Sequence, residues 1–304
     1  ANRAGVARLT ALAERLGPDG LAAGMADVIA YAEERTRSRI AAMPDGVHRA
    51  EDVLEGRDGD IRLKLEATVV GDSIRFDFTG SAGPDDGNLN CPRAVTESAC
   101  YFAVRVLTDP DIPASAGAYR PVEVVVPPGC LLDAAPPHAV VAGNVETSSR
   151  VADLCLAAFG RALGQGTMNN LTLGSDRFTY YETLGGGQAG GPGGPGPSAV
   201  HVAMSNTLNT PIEAMEIEFP LRAVEYSVRR GSGGAGAAPG GDGIVREIEA
   251  RVPMEFALLT ERRRHAPAGG AGGEPGRPVQ PGHRGEAEER AEGVGAAVPE
   301  HRPL

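Results

Sequence analysis

The sequence lacks any apolar run long enough to cross a bilayer, and its four cysteines form no C-x-x-C pair. The first absence argues against a transmembrane helix. The second favours cysteines that act as small buried hydrophobes rather than as ligands or disulfides. With no secretory signal peptide, the cytoplasm is the expected compartment. Because the chain begins Ala1-Asn2-Arg3 inside a helical pattern, we interpret it as a fragment of a longer protein.

Positive charge is also scarce. The formal net charge is −11, and the Lys and Arg residues are scattered, which argues against nucleic acid as a partner because phosphate contacts need a basic face. No Gly-Lys-Ser/Thr loop and no closely spaced histidine pair occurs, so we expect neither a P-loop nor a metal centre built from this chain alone. With 304 residues and 41% hydrophobic content, the chain is long enough for an ordinary buried core.

Glycine is abundant, and two segments match G-x-G-x-x-G, at 185–190 and 231–236. A dinucleotide-binding loop of this kind must open a helix whose N-terminus holds the pyrophosphate. Gly191-Pro192 follows the first segment and Ala238-Pro239 the second, and proline and glycine there disfavour a helix. The two segments therefore predict glycine-rich loops without a nucleotide.

Hydrophobic periodicity predicts a mixed α/β (α+β) fold. Helices are expected over 3–42 with a break at Gly17-Pro18, over 95–106, and over 146–163 with Asn144, Thr147 or Ser148 as its cap. A capping box at 210–213 predicts a further short helix. Strands are expected over 61–69 and 73–79 as a hairpin, over 122–126 and 177–183, and in a mostly antiparallel C-terminal sheet over 222–230, 243–252 and 255–260. We divide the chain into one domain over 1–265 and a disordered Gly/Pro/charged tail over 266–304.

Two adjacent amides, Asn169 and Asn170, lie in the predicted loop 164–172, between an amphipathic helix and a strand followed by Gly185-Gly186-Gly187. Amide side chains offer both donors and acceptors, and such a loop can present them to a compact polar ligand. These two residues are therefore candidates for binding carbonyl or amide groups.

Other candidate site residues surround this loop. Asn144 and Glu146 stand at the start of a predicted helix, where backbone N–H groups and the helix dipole favour an anion, although ordinary capping by Asn144 or Thr147 is the more frequent cause of such a pattern. Arg150, one turn later, would either reach an anion or be solvated. His201 starts the alternating segment 201–206, which ends at Asn206, and a single strand histidine is more often structural than catalytic.

Several separated segments together resemble the hydantoinase B family, the B subunits of ATP-dependent hydantoinases and oxoprolinases, to which the acetone carboxylase alpha subunit is related. The similarity runs over about 2–275 and is carried by 77–81, 88–92, 109–113, 143–150, 166–172, 180–187, 201–211, 231–236, 240–243 and 259–264. The chain corresponds to the C-terminal portion of such a subunit.

The resemblance implies ATP-dependent hydrolysis of a cyclic amide such as a hydantoin or 5-oxoproline. Phosphorylation of the amide oxygen by a separate A-type subunit or region would activate the carbonyl, and the B part would carry out the hydrolysis. ATP would bind through that partner, and a divalent metal is expected in an N-terminal half preceding Ala1. Asn144, Glu146, Arg150, Asn169, Asn170 and Asn206 would line the substrate site, with Glu182 or His201 relaying protons.

Two other functions stay open at this point. One is the alpha-type subunit of an acetone or acetophenone carboxylase, which would share the fold. The other is a non-catalytic fragment or interaction domain. The residues from 277 to 304 differ from the glycine-rich C-terminus expected of the family.

Overall fold

The computed structural model describes residues 2–280 and shows the mixed α/β fold expected from the sequence. Helix α1 (Asn2–Leu16) and helix α2 (Pro18–Ile40) come first, and the predicted break between them is confirmed at Gly17, whose φ is 73°. A positive φ costs glycine little, and Pro18 suits the first position of a helix. None of the α1 side chains is buried, whereas α2 buries Ala32, Thr36 and Ile40.

The first sheet has four strands in the order β1 (Gly46–Glu55), β2 (Asp60–Val70), β3 (Ser73–Asp77) and β4 (Val122–Val125). The predicted hairpin is confirmed as β2 and β3, which pair antiparallel, while β4 lies parallel to β3. Alternate residues of β2, including Leu63 and Leu65, are buried on one face. The sequence analysis missed β1, whose charged residues hide its alternation.

Helix α3 (Arg93–Leu107) and helix α4 (Glu146–Ala157) cover this sheet and form the main core with it. The predicted α4 was six residues too long, because the chain turns at Gly160 with φ 70°. The predicted side-chain cap of α4 was also wrong. The cap position is Val145 and has no side-chain hydrogen bond, while the Thr147 hydroxyl donates to the carbonyl of Leu89 at 2.5 Å.

The C-terminal half is antiparallel, as predicted. Strands β5 (Asn170–Gly174), β6 (Thr179–Thr183) and β9 (Glu255–Leu259) form a sheet in the order β6-β5-β9. Strands β7 (Leu221–Arg229) and β8 (Gly243–Ala250) form a separate pair. The short helix α5 (Ile212–Glu218) starts where the capping box predicted, but Pro211 at its cap position makes no side-chain bond.

The two G-x-G-x-x-G segments lie in loops whose backbones pack directly against each other. A Cβ atom added to Gly187 would lie 1.8 Å from the carbonyl oxygen of Gly241, and one added to Gly233 would lie 2.1 Å from that of Gly240. The amide of Gly241 also donates to the carbonyl of Gln188 at 2.8 Å. Neither segment opens a helix within residues 2–280, so the glycines serve close packing of loops.

Residues 266–280 form no helix or strand but are tied to the domain by hydrogen bonds. The amide of Arg277 donates to the carbonyl of Ser232, and the amide of Val279 donates to that of Arg262, each at 2.9 Å. The predicted disordered tail extends to Leu304, and its part from 281 onward lies outside the described residues. Over residues 2–280, no helix is both long and apolar enough to cross a membrane.

Candidate functional site

The two adjacent amides lie at the start of β5, which the sequence analysis had assigned to the loop. Asn170 is 5% exposed and faces Thr183 across the strand pair, and the Thr183 hydroxyl donates to Asn170 Oδ1 at 3.0 Å. Asn169 has a φ of 52°, and its Oδ1 is buried without a hydrogen-bond partner within the described residues. The structure thus engages Asn170 with the chain itself and leaves the side-chain oxygen of Asn169 without a partner among the described residues.

His201 lies close to this pair, although in irregular backbone just before a turn at 203–204 rather than in the predicted strand. It follows Val200, which bridges to Gly186 in the glycine-rich loop. Its Nδ1 lies 2.7 Å from Ser205 Oγ, and its Nε2 lies 3.3 Å from Asn209 Oδ1. Asn209 Nδ2 in turn donates to the backbone carbonyl of Thr183 at 2.9 Å. His201 and Asn170 are therefore joined through Asn209 and Thr183.

Glu182 points to the opposite face of β6. Its side chain pairs with Arg246 of β8, with Glu182 Oε2 3.2 Å from Arg246 Nε and both side chains 2% exposed. The guanidinium lies 4.6 Å from the centre of the Tyr226 ring, a cation–π contact. Glu182 Oε1 and Arg246 Nη1 are buried without a partner in the described part of the chain. The two predicted proton-relay residues share no hydrogen bond within the described residues, and Arg246, Tyr226 and Asn209 lie between them.

Arg150 and Glu146, both on α4, belong to a buried charged cluster with Asp52, Glu261 and Arg262. Arg150 is fully buried, and it binds Glu261 Oε2 at 3.0 Å and Asp52 Oδ1 at 3.2 Å. Arg262 binds the same aspartate at 2.8 Å. The solvated alternative for Arg150 is therefore wrong, because its guanidinium is held by carboxylates of this chain.

The cluster raises the pKa of one of its carboxyl groups, Glu146, and lowers the pKa of another, Asp52. Burial raises the pKa of Glu146 to about 8, and the neighbouring Glu261 carboxylate adds to the increase. Burial also acts to raise the pKa of Asp52, but Arg150 and Arg262 outweigh it and lower that pKa. Glu146 Oε1 accepts the backbone N–H of Met168 at 3.1 Å, while its Oε2 has no partner among the described residues. Glu146 is thus suited to hold a proton at neutral pH.

The last two predicted site residues are exposed. Asn144 ends a 3-10 turn (Ala142–Asn144), and its backbone carbonyl accepts the Ser148 hydroxyl at 2.9 Å. Asn206 lies in the loop after Ser205. Of the eight residues, the structure links His201 with Asn170, joins Glu146 and Arg150 in one cluster, and sets Glu182 apart. Their roles in binding and proton transfer stay predictions.

Sequence reasoning missed Asn209, Arg246 and Glu261, which hold the predicted residues in place. Asn209 stands just before the capping-box segment, and Glu261 opens the charged run 261–264 after an apolar strand. A charged run directly after a buried strand was the available signal for Glu261. Arg246 lies in an alternating strand like any other and carries no local signal.

Two further features bear on ligands. Within residues 2–280, no three His, Cys, Asp or Glu side chains gather as metal ligands. An open groove of about 540 Å³ lies beside α2, lined by residues such as Glu33, Arg37 and Asp72. None of its lining residues is one of the candidate residues, so we take the group at the edge of β6, rather than the groove, as the candidate site.

Comparison with known proteins agrees with this fold. The sequence is 40% identical to 5-oxoprolinase 1 of Arabidopsis thaliana over 285 residues, which are 88% of this chain and 22% of that protein. The structure is similar to that of an ATP-dependent caprolactamase from Pseudomonas jessenii, with a TM-score of 0.79 at 22% identity over 86% of this chain and 49% of the other.

A nucleotide-free acetone carboxylase structure shares the fold at a TM-score of 0.65 and 16% identity, over 75% of this chain and 35% of the other. The chain thus spans half or less of the length of each of these proteins. The family model described as Hydantoinase B/oxoprolinase matches residues 1–300. This chain belongs to the hydantoinase B/oxoprolinase family.

Proposed function

We propose that this chain is part of an ATP-dependent hydrolase that opens a cyclic amide such as a hydantoin or a 5-oxoproline-like lactam. The observation that carries the proposal is the group formed by Asn170, Thr183, Asn209 and His201 at the edge of β6. A lactam presents one carbonyl and one N–H, and the Asn169 side-chain oxygen next to this group, which has no partner within the described residues, would accept that N–H. Similarity to 5-oxoprolinase supports this substrate class.

The proposed division of labour follows from the chemistry of the amide. A lactam carbonyl resists water, and phosphorylation of its oxygen by ATP makes the carbon electrophilic. An A-type subunit or region would bind ATP and carry out that step. This chain would then support the attack of water, with His201 as the proton acceptor. The divalent metal expected for the activity is assigned to residues outside this chain.

The proposal is tested with the complete polypeptide that contains this chain, combined with its A-type partner. We expect glutamate to form from 5-oxoproline, or an N-carbamoyl amino acid from a hydantoin, only when ATP is present, with ADP released in step. Omission of ATP and of each substrate provides the controls. Ring opening at the same rate without ATP would contradict the proposal.

The same preparation separates the alternative carboxylase function, which the fold shared with acetone carboxylase keeps open. Acetone, bicarbonate and ATP are supplied in place of the lactam. Formation of the carboxylated ketone, with no lactam opened, would overturn the hydrolase proposal in favour of the carboxylase. Absence of both reactions would favour a non-catalytic role.

A further inference from the structure

Both ring nitrogens of His201 are engaged by side chains of the same loop. Nδ1 lies 2.7 Å from Ser205 Oγ, and Nε2 lies 3.3 Å from Asn209 Oδ1 and 3.4 Å from Thr207 Oγ1. Hydroxyl groups can donate or accept, so the two Ser205 and Thr207 contacts alone permit either tautomer of a neutral imidazole. The amide of Asn209 decides between them.

The orientation of the Asn209 amide is fixed by two neighbours. Its Nδ2 donates to the backbone carbonyl of Thr183 at 2.9 Å, and a carbonyl can only accept. A flipped amide would set two oxygens against each other at that distance. Its Oδ1 therefore faces the Tyr226 hydroxyl, which donates to it at 3.2 Å, and His201 Nε2.

Because Asn209 Oδ1 can only accept, the nitrogen that faces it must carry the hydrogen. Neutral His201 is then the Nε2–H tautomer, and its Nδ1 lone pair accepts the hydrogen of the Ser205 hydroxyl. We propose that Asn209 is a positioning residue that holds His201 in this tautomer and keeps Nδ1 as the proton-accepting nitrogen.

The consequence for catalysis rests on the proposed function. As water attacks the activated carbonyl, its proton would pass to Ser205 Oγ while the Ser205 hydroxyl proton passes to His201 Nδ1. The water oxygen forms the new bond to the carbon while the C=N electron pair of the phosphorylated amide moves to nitrogen, Ser205 is regenerated, and the imidazolium keeps its Nε2–H bond to Asn209. The ring C–N bond then breaks as the nitrogen takes the proton held on Nδ1 and the proton of the new hydroxyl, and a second water hydrolyses the remaining acyl phosphate to carboxylate and phosphate. Ser205 is 7% exposed, which suits a relay better than a nucleophile that a bulky substrate must reach.

The second neighbour of Asn209 connects this arrangement to the far side of the strand. The ring of Tyr226 covers the Arg246 guanidinium, and Arg246 binds Glu182. Asn209 therefore receives its second hydrogen bond from a tyrosine that the buried ion pair helps to fix. This makes the position of Asn209, and with it the tautomer of His201, dependent on the packing of β8 against β6.

The test is a long-range ¹H–¹⁵N spectrum of the full 304-residue chain labelled with ¹⁵N-histidine, with His201→Gln used to assign the signal. We expect the Nε2–H tautomer in the unmodified chain. In Asn209→Ala, the Thr207 hydroxyl is free to donate to Nε2, so the Nδ1–H tautomer should gain population.

Thr207→Val is the matched control, because it removes the other contact to Nε2 and should leave the tautomer unchanged. An Nδ1–H tautomer in the unmodified chain would overturn the proposal even if every variant failed to fold. So would an unchanged tautomer in a folded Asn209→Ala chain. Because the spectrum reports the His201 tautomer and does not depend on enzymatic activity, it tests the positioning role of Asn209 even if the proposed hydrolase activity is absent.

In the complete enzyme, Asn209→Ala should lower kcat about tenfold or more with little change in KM. Added to His201→Ala, the same substitution should cause no further loss, because it acts through the imidazole. An equal loss in both backgrounds would show that Asn209 acts by another route and would contradict the positioning role.

Discussion

Glu146 offers the sharpest test of the buried charged cluster, through the substitution Glu146→Gln. The glutamine keeps an oxygen that accepts the Met168 N–H but cannot ionise. In the wild-type chain, the folded state binds the proton more tightly than the unfolded state, because burial and Glu261 raise the pKa of Glu146 from 4.5 to about 8. The two chains should therefore differ in how their stability depends on pH.

The sign follows from proton binding. Below about pH 4.5 the Glu146 side chain is protonated in both the folded and the unfolded wild-type chain, and its contribution to the free energy of unfolding is fully present. Between 4.5 and about 8 the unfolded chain releases the proton while the folded chain keeps it, so wild-type stability falls as pH rises. At about 1.4 kcal/mol per pH unit, this interval corresponds to about 5 kcal/mol.

Urea unfolding of both chains at several values between pH 5 and pH 8.5 measures this difference. The stability of Glu146→Gln relative to wild type should increase steadily with pH and level off near pH 8. The exposed Glu218→Gln serves as a control with the same change in charge. A difference between Glu146→Gln and wild type that stays constant from pH 5 to pH 8 would refute the reasoning.

Three other outcomes follow from the structure. Gly187→Ala should lower stability by about 1–3 kcal/mol, since its Cβ would lie 1.8 Å from the Gly241 carbonyl oxygen, whereas Gly191→Ala, with nothing within 4 Å, should change little in the same urea series. Arg150→Ala should cost about 3–5 kcal/mol, because it leaves the Glu261 carboxylate buried and without its partner; wild-type stability would contradict this. Asn170→Ala should lower kcat/KM of the complete enzyme by an amount equivalent to about 1–3 kcal/mol of transition-state stabilisation, while the domain stays folded. Unchanged kinetics would show that Asn170 is not part of the site.

Local patterns predicted much of the fold. The break at Gly17, the β2–β3 hairpin and α3 each follow from periodicity and from residues with special backbone preferences. Strand β1 was missed because its sequence is highly charged. It is stabilised by pairing with β2, which its own residues do not indicate. The first residue of β5, Asn170, was taken as loop because asparagine is a poor strand former, and its pairing with both neighbouring strands overrides that preference.

The site was harder to predict, because its contacts join residues far apart in the sequence. Arg150 and Glu261 are 111 positions apart, and Arg246 and Glu182 are 64 apart. Residue types near Asn169 and His201 pointed to the region on which the proposed function rests. The partners that fix them, such as Asn209, become visible only when the chain has folded.

The central claim is that this chain supports the hydrolytic half of an ATP-dependent ring opening at His201. It is tested most directly by measuring ring-opened product and ADP together in the complete assembly, for wild type and for His201→Ala. We expect equal amounts of product and ADP from wild type, and a loss of product formation of about a hundredfold or more in the variant, as removal of a general base typically gives. Ring opening by His201→Ala at the wild-type rate would contradict the account.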